Sequence, residues 1–203
     1  MINLPNLPNV AFIGPMGVGK TTCANLLVLG DTHTKLSFAD SVKDDTVDML
    51  NHIVSYSRKQ LPDVKDTLHK RNDDYPLLTR STLEEFKNPV FRPLLQWYGT
   101  DFWRQFMGVP DYWLLRFDAK IKMVQETNAI AVDDCRFPNE VQFLKERGFT
   151  IIRLLRDLPE RDPSVAQHVS ETALDGYEAD YTLDLNNKSF EQVYIEIVDN
   201  ALV

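Results

Sequence analysis

The stretch VAFIGPMGVGKTT, residues 10 to 22, joins an apolar run to a glycine-rich turn and a lysine. From Gly14 to Thr21 it matches the phosphate-loop pattern Gly-x-x-x-x-Gly-Lys-Ser/Thr at every fixed position. In such a loop, backbone N–H groups turn toward phosphate oxygens, and the following helix adds its positive end. Lys20 is expected to reach the β- and γ-phosphates of a nucleoside triphosphate, and Thr21 to ligate magnesium. The stretch therefore predicts a triphosphate site at the end of a buried strand.

Apolar runs alternate with amphipathic stretches along the rest of the chain. The predicted strands cover residues 9–13, 35–40, 128–134, 150–155 and 181–185. The predicted helices cover residues 20–29, 92–107, 113–125, a stretch from Pro138 to near Gly148, and 189–202. One further helix is predicted to be capped by Asp40 or Ser41, with Val42, Met49, Leu50 and Ile53 on one face. Strands that alternate with helices indicate an α/β fold with a parallel sheet.

The chain length of 203 residues fits a single domain. Residues 55–90 are polar and are interpreted as an insertion, within which Ser81 and Glu84 have the spacing of a capping box. Cys23 is expected to be a small core residue, and two cysteines are too few for a disulfide framework.

Charge and hydropathy narrow the class of partner. The net charge of −8 argues against a nucleic acid polymer, whose binding rests on many phosphate contacts, but not against a single nucleotide held in a local cluster of cations. No apolar run is long enough to span a membrane, and the first ten residues lack the features of a signal peptide. A cytoplasmic protein without a membrane partner is expected.

Two further groups of residues are candidates for phosphate binding. Arg92, Gln96 and Gly99 fall on one stripe of a predicted helix, where the arginine either binds a phosphate or is simply solvated. Asp133, Asp134 and Arg136 follow a predicted central strand. Because ligands of open α/β sheets bind beyond the carboxyl ends of the strands, these side chains suit a magnesium shell and a phosphate; the alternative is a surface ion pair.

A third group consists of arginines near the C-terminal part of the chain. Arg153, Arg156 and Arg161 precede QHVSE, and a segment of about 156–170 is either a lid over the triphosphate or a solvated loop. Which of the three arginines acts in such a lid is left open. His168 has no partner pattern for a metal site or a catalytic triad, so a structural hydrogen bond is favoured.

The residue types also bear on the acceptor of the phosphoryl group. A phosphomonoester has its second pKa near 6, so its oxygens are largely ionised at neutral pH and no general base is needed to activate them. The enzyme must align two anions and screen their repulsion, which requires cations. Arginines without an evident base therefore favour a nucleoside monophosphate acceptor over a sugar hydroxyl.

Several stretches together resemble the deoxynucleoside monophosphate kinases of bacteriophages. They are GPMGVGKTT, FADSVKD, RPLLQWYGTDFWR with DYW, VDDCRFPNEVQFLKERG, and HVSETAL ahead of DYTLDLNN, in the order found in that family. They cover about two thirds of the chain and leave residues 55–88 poorly matched. The resemblance implies a P-loop kinase fold, a three-layer sandwich with a central parallel sheet, that transfers the γ-phosphate of ATP to a deoxynucleoside monophosphate with magnesium as cofactor.

The resemblance also assigns site residues. The ATP site is expected to comprise Gly14, Gly17, Val18, Gly19, Lys20, Thr21 and Thr22. The monophosphate site is expected to comprise Val42, Lys43, Arg92, Gly99, Thr100, Trp113, Asp134, Arg136 and Glu140. Lys20, Asp134 and Arg136 are the expected catalytic residues, with Asp134 preferred to Asp133, and Thr21 is the expected magnesium ligand.

Two alternative functions remain at this stage. One is another small-molecule P-loop kinase, such as one that acts on dephospho-coenzyme A, and the other is a nucleotide-dependent switch or ATPase module. The preferred base and a homodimeric state are also left open, and the expected location is the host cytoplasm if the protein is phage-encoded.

Overall fold

The structure is a computed structural model that describes residues 7–60, 79–81, 91–124, 128–159 and 169–201. Its strands are β1 (Val10–Ile13), β2 (His33–Leu36), β3 (Ala129–Val132), β4 (Thr150–Leu155) and β5 (Tyr181–Asp184). Its helices are α1 (Lys20–Leu29), α2 (Phe38–Gln60), α3 (Phe91–Gln96), α4 (Tyr112–Val124), α5 (Pro138–Lys145), α6 (Val169–Thr172) and α7 (Phe190–Glu196). Two π-helical segments, Trp97–Phe106 and Ile197–Ala201, continue α3 and α7.

The five strands form one parallel sheet in the order β2-β3-β1-β4-β5. β1 lies at its centre, so the glycine-rich turn that follows β1 emerges between the ends of β3 and β4. The strands that follow β1 in sequence, β2 and β3, lie on one side of it, and β4 and β5 lie on the other side. Open α/β sheets bind ligands where the strand order changes side in this way. The predicted parallel α/β class is confirmed.

Helices cover both faces of the sheet. On one face, α1 and α7 pack against side chains such as Val10 and Phe12, and on the other, α4 and α5 pack against Ala11 and Ile13. Successive residues of a strand point to opposite faces, so the alternation along β1 supplies both cores. Cys23 lies in the first of them, as predicted, and burial raises the pKa of its thiol to about 11. The predicted three-layer arrangement is confirmed.

The start of α2 differs from the prediction. β2 ends at Leu36 and α2 begins at Phe38, so neither Asp40 nor Ser41 is the cap. Instead, the Phe38 backbone N–H donates to Asp134 Oδ1 at 2.8 Å, a contact across 96 residues of sequence. A distant carboxylate thus satisfies one of the N–H groups that a helix start leaves unpaired.

α2 also departs from the prediction along its length. It continues to Gln60, so residues 55–60, which the sequence places in a polar insertion, are helical. The side chain of Ile53, expected on the packed face, is 54% exposed. The remainder of the predicted insertion lies outside the described residues, apart from residues 79–81, and so does Glu84 of the predicted capping box.

Two compact units make up the chain, one of residues 1–38 and 114–203 and the other of residues 39–113. The first contains the sheet. In the second, aromatic rings pack together, with Trp103 and Tyr112 stacked at a centroid distance of 3.8 Å and Trp113 edge-on to both. Tyr112 Oη donates to Asp45 Oδ2 of α2 at 2.8 Å, which ties this cluster to the long helix.

In the part of the chain that the structure describes, no helix combines the length and the apolarity needed to cross a membrane.

Gly14 is the residue at which the turn after β1 tolerates least change. Its φ is 134°, and a Cβ at this position would lie 2.8 Å from the Leu154 carbonyl oxygen of β4. Gly148, with a φ of 75° and nothing within 4 Å of an added Cβ, is a matched control. We expect Gly148→Ala to lower the free energy of unfolding by about 1 kcal/mol, and Gly14→Ala by about 2 kcal/mol more. Urea unfolding of both variants measures the difference, and equal losses would contradict the steric account.

His33 predicts how stability depends on pH. The ring is 2% exposed, and burial lowers its pKa below 6.5, although the Pro8 carbonyl that accepts from Nε2 offsets part of this effect. Below pH 6.5 the unfolded chain therefore binds a proton that the folded chain does not, so the free energy of unfolding falls as the pH falls. At pH 5.5 this contribution reaches at most about 1.4 kcal/mol.

The comparison of His33→Gln with wild type isolates that contribution. Urea unfolding between pH 7.5 and 5.5 should show a smaller decline in the free energy of unfolding for His33→Gln than for wild type. An identical decline in His33→Gln and wild type would show that His33 does not contribute to the pH dependence of the free energy of unfolding.

Candidate active site

The glycine-rich turn after β1 leads directly into α1. α1 begins at Lys20, and Gly19 before it offers no side chain to cap the first N–H groups of the helix. Helix N-termini of this kind bind anions through those N–H groups and the helix dipole. The side chain of Val18 is buried in the core, whereas Thr21 and Thr22 are exposed on the first turn. The glycine-rich turn therefore leads into a helix start without a side-chain cap, and the buried Val18 anchors the turn in the core. The predicted contacts of these residues with ATP stay a prediction.

Lys20 lies beneath this turn. Its side chain is 7% exposed, and its Nζ donates to the Gly14 carbonyl at 2.5 Å and to the Pro15 carbonyl at 2.9 Å. Burial and the nearby Arg136 guanidinium lower the pKa of Lys20 from 10.5 to about 8. The ammonium therefore remains the main form at neutral pH, and a cation is fixed inside the loop.

Two carboxylates lie at the carboxyl end of β3. Asp133 is buried, accepts a hydrogen bond from Ser37 Oγ and lies 3.9 Å from the Lys35 ammonium. Asp134 accepts from the Phe38 N–H and is one of the carboxylates whose charge raises the pKa of Lys20. Both predicted acidic residues are therefore close to the phosphate loop, and the direct role preferred for Asp134 stays a prediction.

Arg136 is positioned by the backbone on which it stands. Glu140 is buried at 3% exposure, and its Oε2 accepts from the Arg136 N–H at 2.8 Å and from the Phe137 N–H at 3.1 Å. These bonds shape the turn between β3 and α5 and present the guanidinium near Lys20, where its charge lowers the pKa of that lysine. In the structure Glu140 thus supports Arg136, and the predicted direct contact between Glu140 and substrate remains a prediction.

Glu171 was not predicted as a site residue, yet its carboxylate meets the same cluster. Oε2 accepts from the Met16 N–H of the glycine-rich turn at 2.8 Å, and Oε1 forms an ion pair with Nη1 of Arg136. The charge of Glu171 also raises the pKa of Lys20. The only sequence signal is the stretch HVSETAL, because a four-residue helix carries no readable periodicity.

Two of the predicted monophosphate residues of the second unit, Val42 and Trp113, lie next to a third, Gly99. The Gly99 carbonyl accepts from Trp113 Nε1 at 2.7 Å, and a Cβ on Gly99 would meet Val42 at 3.2 Å. Thr100 is buried beside it, while Lys43 lies 3.9 Å from Asp40. The structure therefore brings Val42, Gly99 and Trp113 together. Trp113 is 1% exposed within the aromatic cluster, and its predicted contact with a nucleoside stays a prediction.

Of the remaining predicted residues, some have described side chains and others lie outside the described part of the chain. Arg153 lies within β4 and donates from Nη2 to the Leu174 and Tyr177 carbonyls at 2.9 and 2.7 Å, so it fixes the turn after α6. Arg156 follows β4 and is exposed, with Nη1 3.8 Å from the position of a Cβ on Gly19. Arg161, His168 and most of the predicted lid lie outside the described residues, and so does the side chain of Arg92.

The cluster contains the groups that phosphoryl transfer requires of a protein. Lys20, Arg136, Asp133, Asp134 and Glu171 interact electrostatically at the end of a loop of phosphate-binding form. Cations stabilise the charge that develops on the transferred group, and carboxylates orient the cations or a metal ion.

Comparison with known proteins agrees with this arrangement. The sequence profile of the deoxynucleotide monophosphate kinase family matches residues 43–197. A protein of Acanthamoeba polyphaga mimivirus, whose provisional description is deoxynucleotide monophosphate kinase, is 25% identical over 207 residues, which span 95% of this chain and 96% of that protein. The solved dephospho-CoA kinase from Campylobacter jejuni is 14% identical over 94% of this chain and 95% of its own, with a TM-score of 0.44, too low to carry conclusions from one protein to the other.

The family profile covers more than half of the chain, and its start in α2 and end beyond α7 enclose Asp134, Arg136 and Glu171. The chain belongs to the deoxynucleotide monophosphate kinase family.

Proposed function

We propose that this protein transfers the γ-phosphate of ATP to a deoxynucleoside monophosphate and releases a deoxynucleoside diphosphate and ADP. The observation that carries the proposal is the convergence of two fixed cations, Lys20 and Arg136, at the phosphate loop of a chain of this family. Lys20 faces the loop that would bind the donor, and Arg136 stands on the turn after the neighbouring strand β3, from which it would bind the acceptor phosphate or the group in transfer.

The chemistry of the acceptor agrees with the hydrogen bonds that Asp133 and Asp134 accept. An ionised phosphate oxygen attacks without losing a proton, so the protein has only to align and screen the two anions. Asp133 and Asp134 both accept hydrogen bonds from donors of the protein itself, Ser37 Oγ and the Phe38 N–H, so each carboxylate is already engaged in the fold. A monophosphate acceptor therefore suits these residues better than an unactivated hydroxyl.

A magnesium ion suits the donor groups that are present. Among the described residues, no three His, Cys, Asp or Glu side chains cluster as a metal site of their own. Magnesium in phosphoryl-transfer sites is commonly held by one or two protein oxygens together with the substrate phosphates. Thr21, on the exposed first turn of α1, would supply one oxygen, and Asp133 or Asp134 would act in the surrounding shell. The ion would neutralise charge on the β- and γ-phosphates.

A panel of acceptors tests the reaction. ADP formation from ATP should require a nucleoside monophosphate, and for at least one base kcat/KM should be higher for the deoxy than for the ribo form. A site closed around C2′ leaves an added hydroxyl either clashing or without a hydrogen-bond partner. Equal kcat/KM for every ribo and deoxy pair would remove the deoxynucleotide claim. ADP formation without an acceptor would indicate an ATPase, and phosphorylation of dephospho-coenzyme A alone would indicate the other kinase class.

Replacement of Lys20 tests the role of the buried ammonium. We expect Lys20→Ala to lower kcat about 100-fold, because a positioned charge of this kind contributes roughly 3 kcal/mol to transition-state stabilisation. Steady-state kinetics measures the loss, and circular dichroism checks that the variant is folded. Lys122→Ala, which removes a lysine whose side chain is 74% exposed, should leave kcat unchanged. Full activity in a folded Lys20→Ala protein would contradict the proposed mechanism.

A further inference from the structure

The Glu171 carboxylate bridges two segments that are far apart in sequence. One oxygen accepts from the Met16 N–H in the phosphate loop, 155 residues away, and the other pairs with Nη1 of Arg136, 35 residues away. The side chain of Glu171 is 4% exposed, whereas that of Arg136 is 32% exposed. The carboxylate is therefore enclosed, while part of the guanidinium is accessible from solution.

This geometry suits an arginine that is held in place and still able to bind an anion. A guanidinium carries five N–H donors in a rigid plane, so a carboxylate on one edge leaves other donors that can point toward a phosphate. Because the same carboxylate also binds the backbone of the phosphate loop, it fixes the guanidinium relative to that loop. A shift of about 1 Å at a reacting group is enough to lower a rate by 10².

We propose that Glu171 is a positioning residue for phosphoryl transfer, one that acts through Arg136 by holding its guanidinium at a set place beside the phosphate loop. The inference rests on the proposed function, since it assigns Arg136 to the phosphate in transfer or to the acceptor phosphate. The proposal adds a residue of α6 to the site, and it gives a function to the contact between this helix and the phosphate loop.

Stability alone is a weaker explanation of the bridge. The Coulombic gain of an ion pair with an enclosed carboxylate is largely offset by the cost of removing that charge from water, so the pair contributes little net stability unless its geometry is excellent. Glu140 already fixes the Arg136 backbone. The Glu171 bond therefore specifies the side chain rather than the turn.

A double-mutant cycle separates a positioning role from a structural one. The variants are Glu171→Gln, which keeps the shape but has only one accepting oxygen, Arg136→Met, and the pair together. Kinetics with ATP and the best monophosphate of the panel should show at least a tenfold lower kcat for Glu171→Gln, with the Kd of a non-hydrolysable ATP analogue changed less than threefold. In the Arg136→Met background, adding Glu171→Gln should change kcat less than twofold, because residues that act as one unit are not additive.

Controls make each outcome decisive. Glu178→Gln changes an exposed glutamate nearby and should leave kcat unchanged. If Glu171→Gln does not fold, Glu171→Asp keeps the charge but is one methylene too short to reach both partners, and it should show the same pattern. Unchanged kcat in a folded Glu171 variant, or fully additive losses in the cycle, would overturn the positioning role while leaving the kinase assignment standing. A wild-type protein without monophosphate-dependent ADP formation would overturn both.

Discussion

The Lys20 ammonium is buried and is repelled by the charge of a second cation, the Arg136 guanidinium. Much of the site is arranged around this repulsion. Burial and the Arg136 charge both disfavour the protonated lysine, which is why its pKa falls to about 8. Three carboxylates act in the opposite direction: Glu171, Asp134 and Asp133, in decreasing order of effect. Without them the lysine would be less well protonated at neutral pH.

Each of those carboxylates is in turn fixed by a segment that belongs to the fold. Asp133 accepts from Ser37 and Asp134 from the backbone of Phe38, so the junction between β2 and α2 is tied to the end of β3. Glu171 accepts from the backbone of Met16, so α6 is tied to the phosphate loop. The electrostatic requirement of one lysine and the placement of three loops are therefore satisfied by the same hydrogen bonds.

The parts of the structure that sequence predicts well are those with local causes. The limits of α1, α4 and β4 are matched within about a residue, because the phosphate-loop spacing, the helical apolar pattern and a short apolar run each lie within one segment. The start of α2 and the role of Glu171 were missed because the deciding partners are 96 and 155 residues away. The π-helical form of 97–106 was also missed, since the predicted helix over 92–107 was read at ordinary helical spacing.

The formal charges around the loop explain why side chains alone do not make this site. Lys20, Arg136 and Lys35, which lies 3.9 Å from Asp133, face three carboxylates, so these six side chains carry no net charge within a protein of net charge −8. Screening at physiological salt removes most of the influence of charges beyond about 8 Å, so this cluster and the loop backbone determine what a triphosphate meets. For the proposed triphosphate, the attraction must then come from the N–H groups expected of such a loop, from the start of α1 and from the proposed magnesium ion. Arg136 and Lys20 contribute oriented hydrogen-bond donors as well as charge. A carboxylate that fixes one of these donors, as Glu171 fixes Arg136, therefore contributes to the site even though it adds a negative charge.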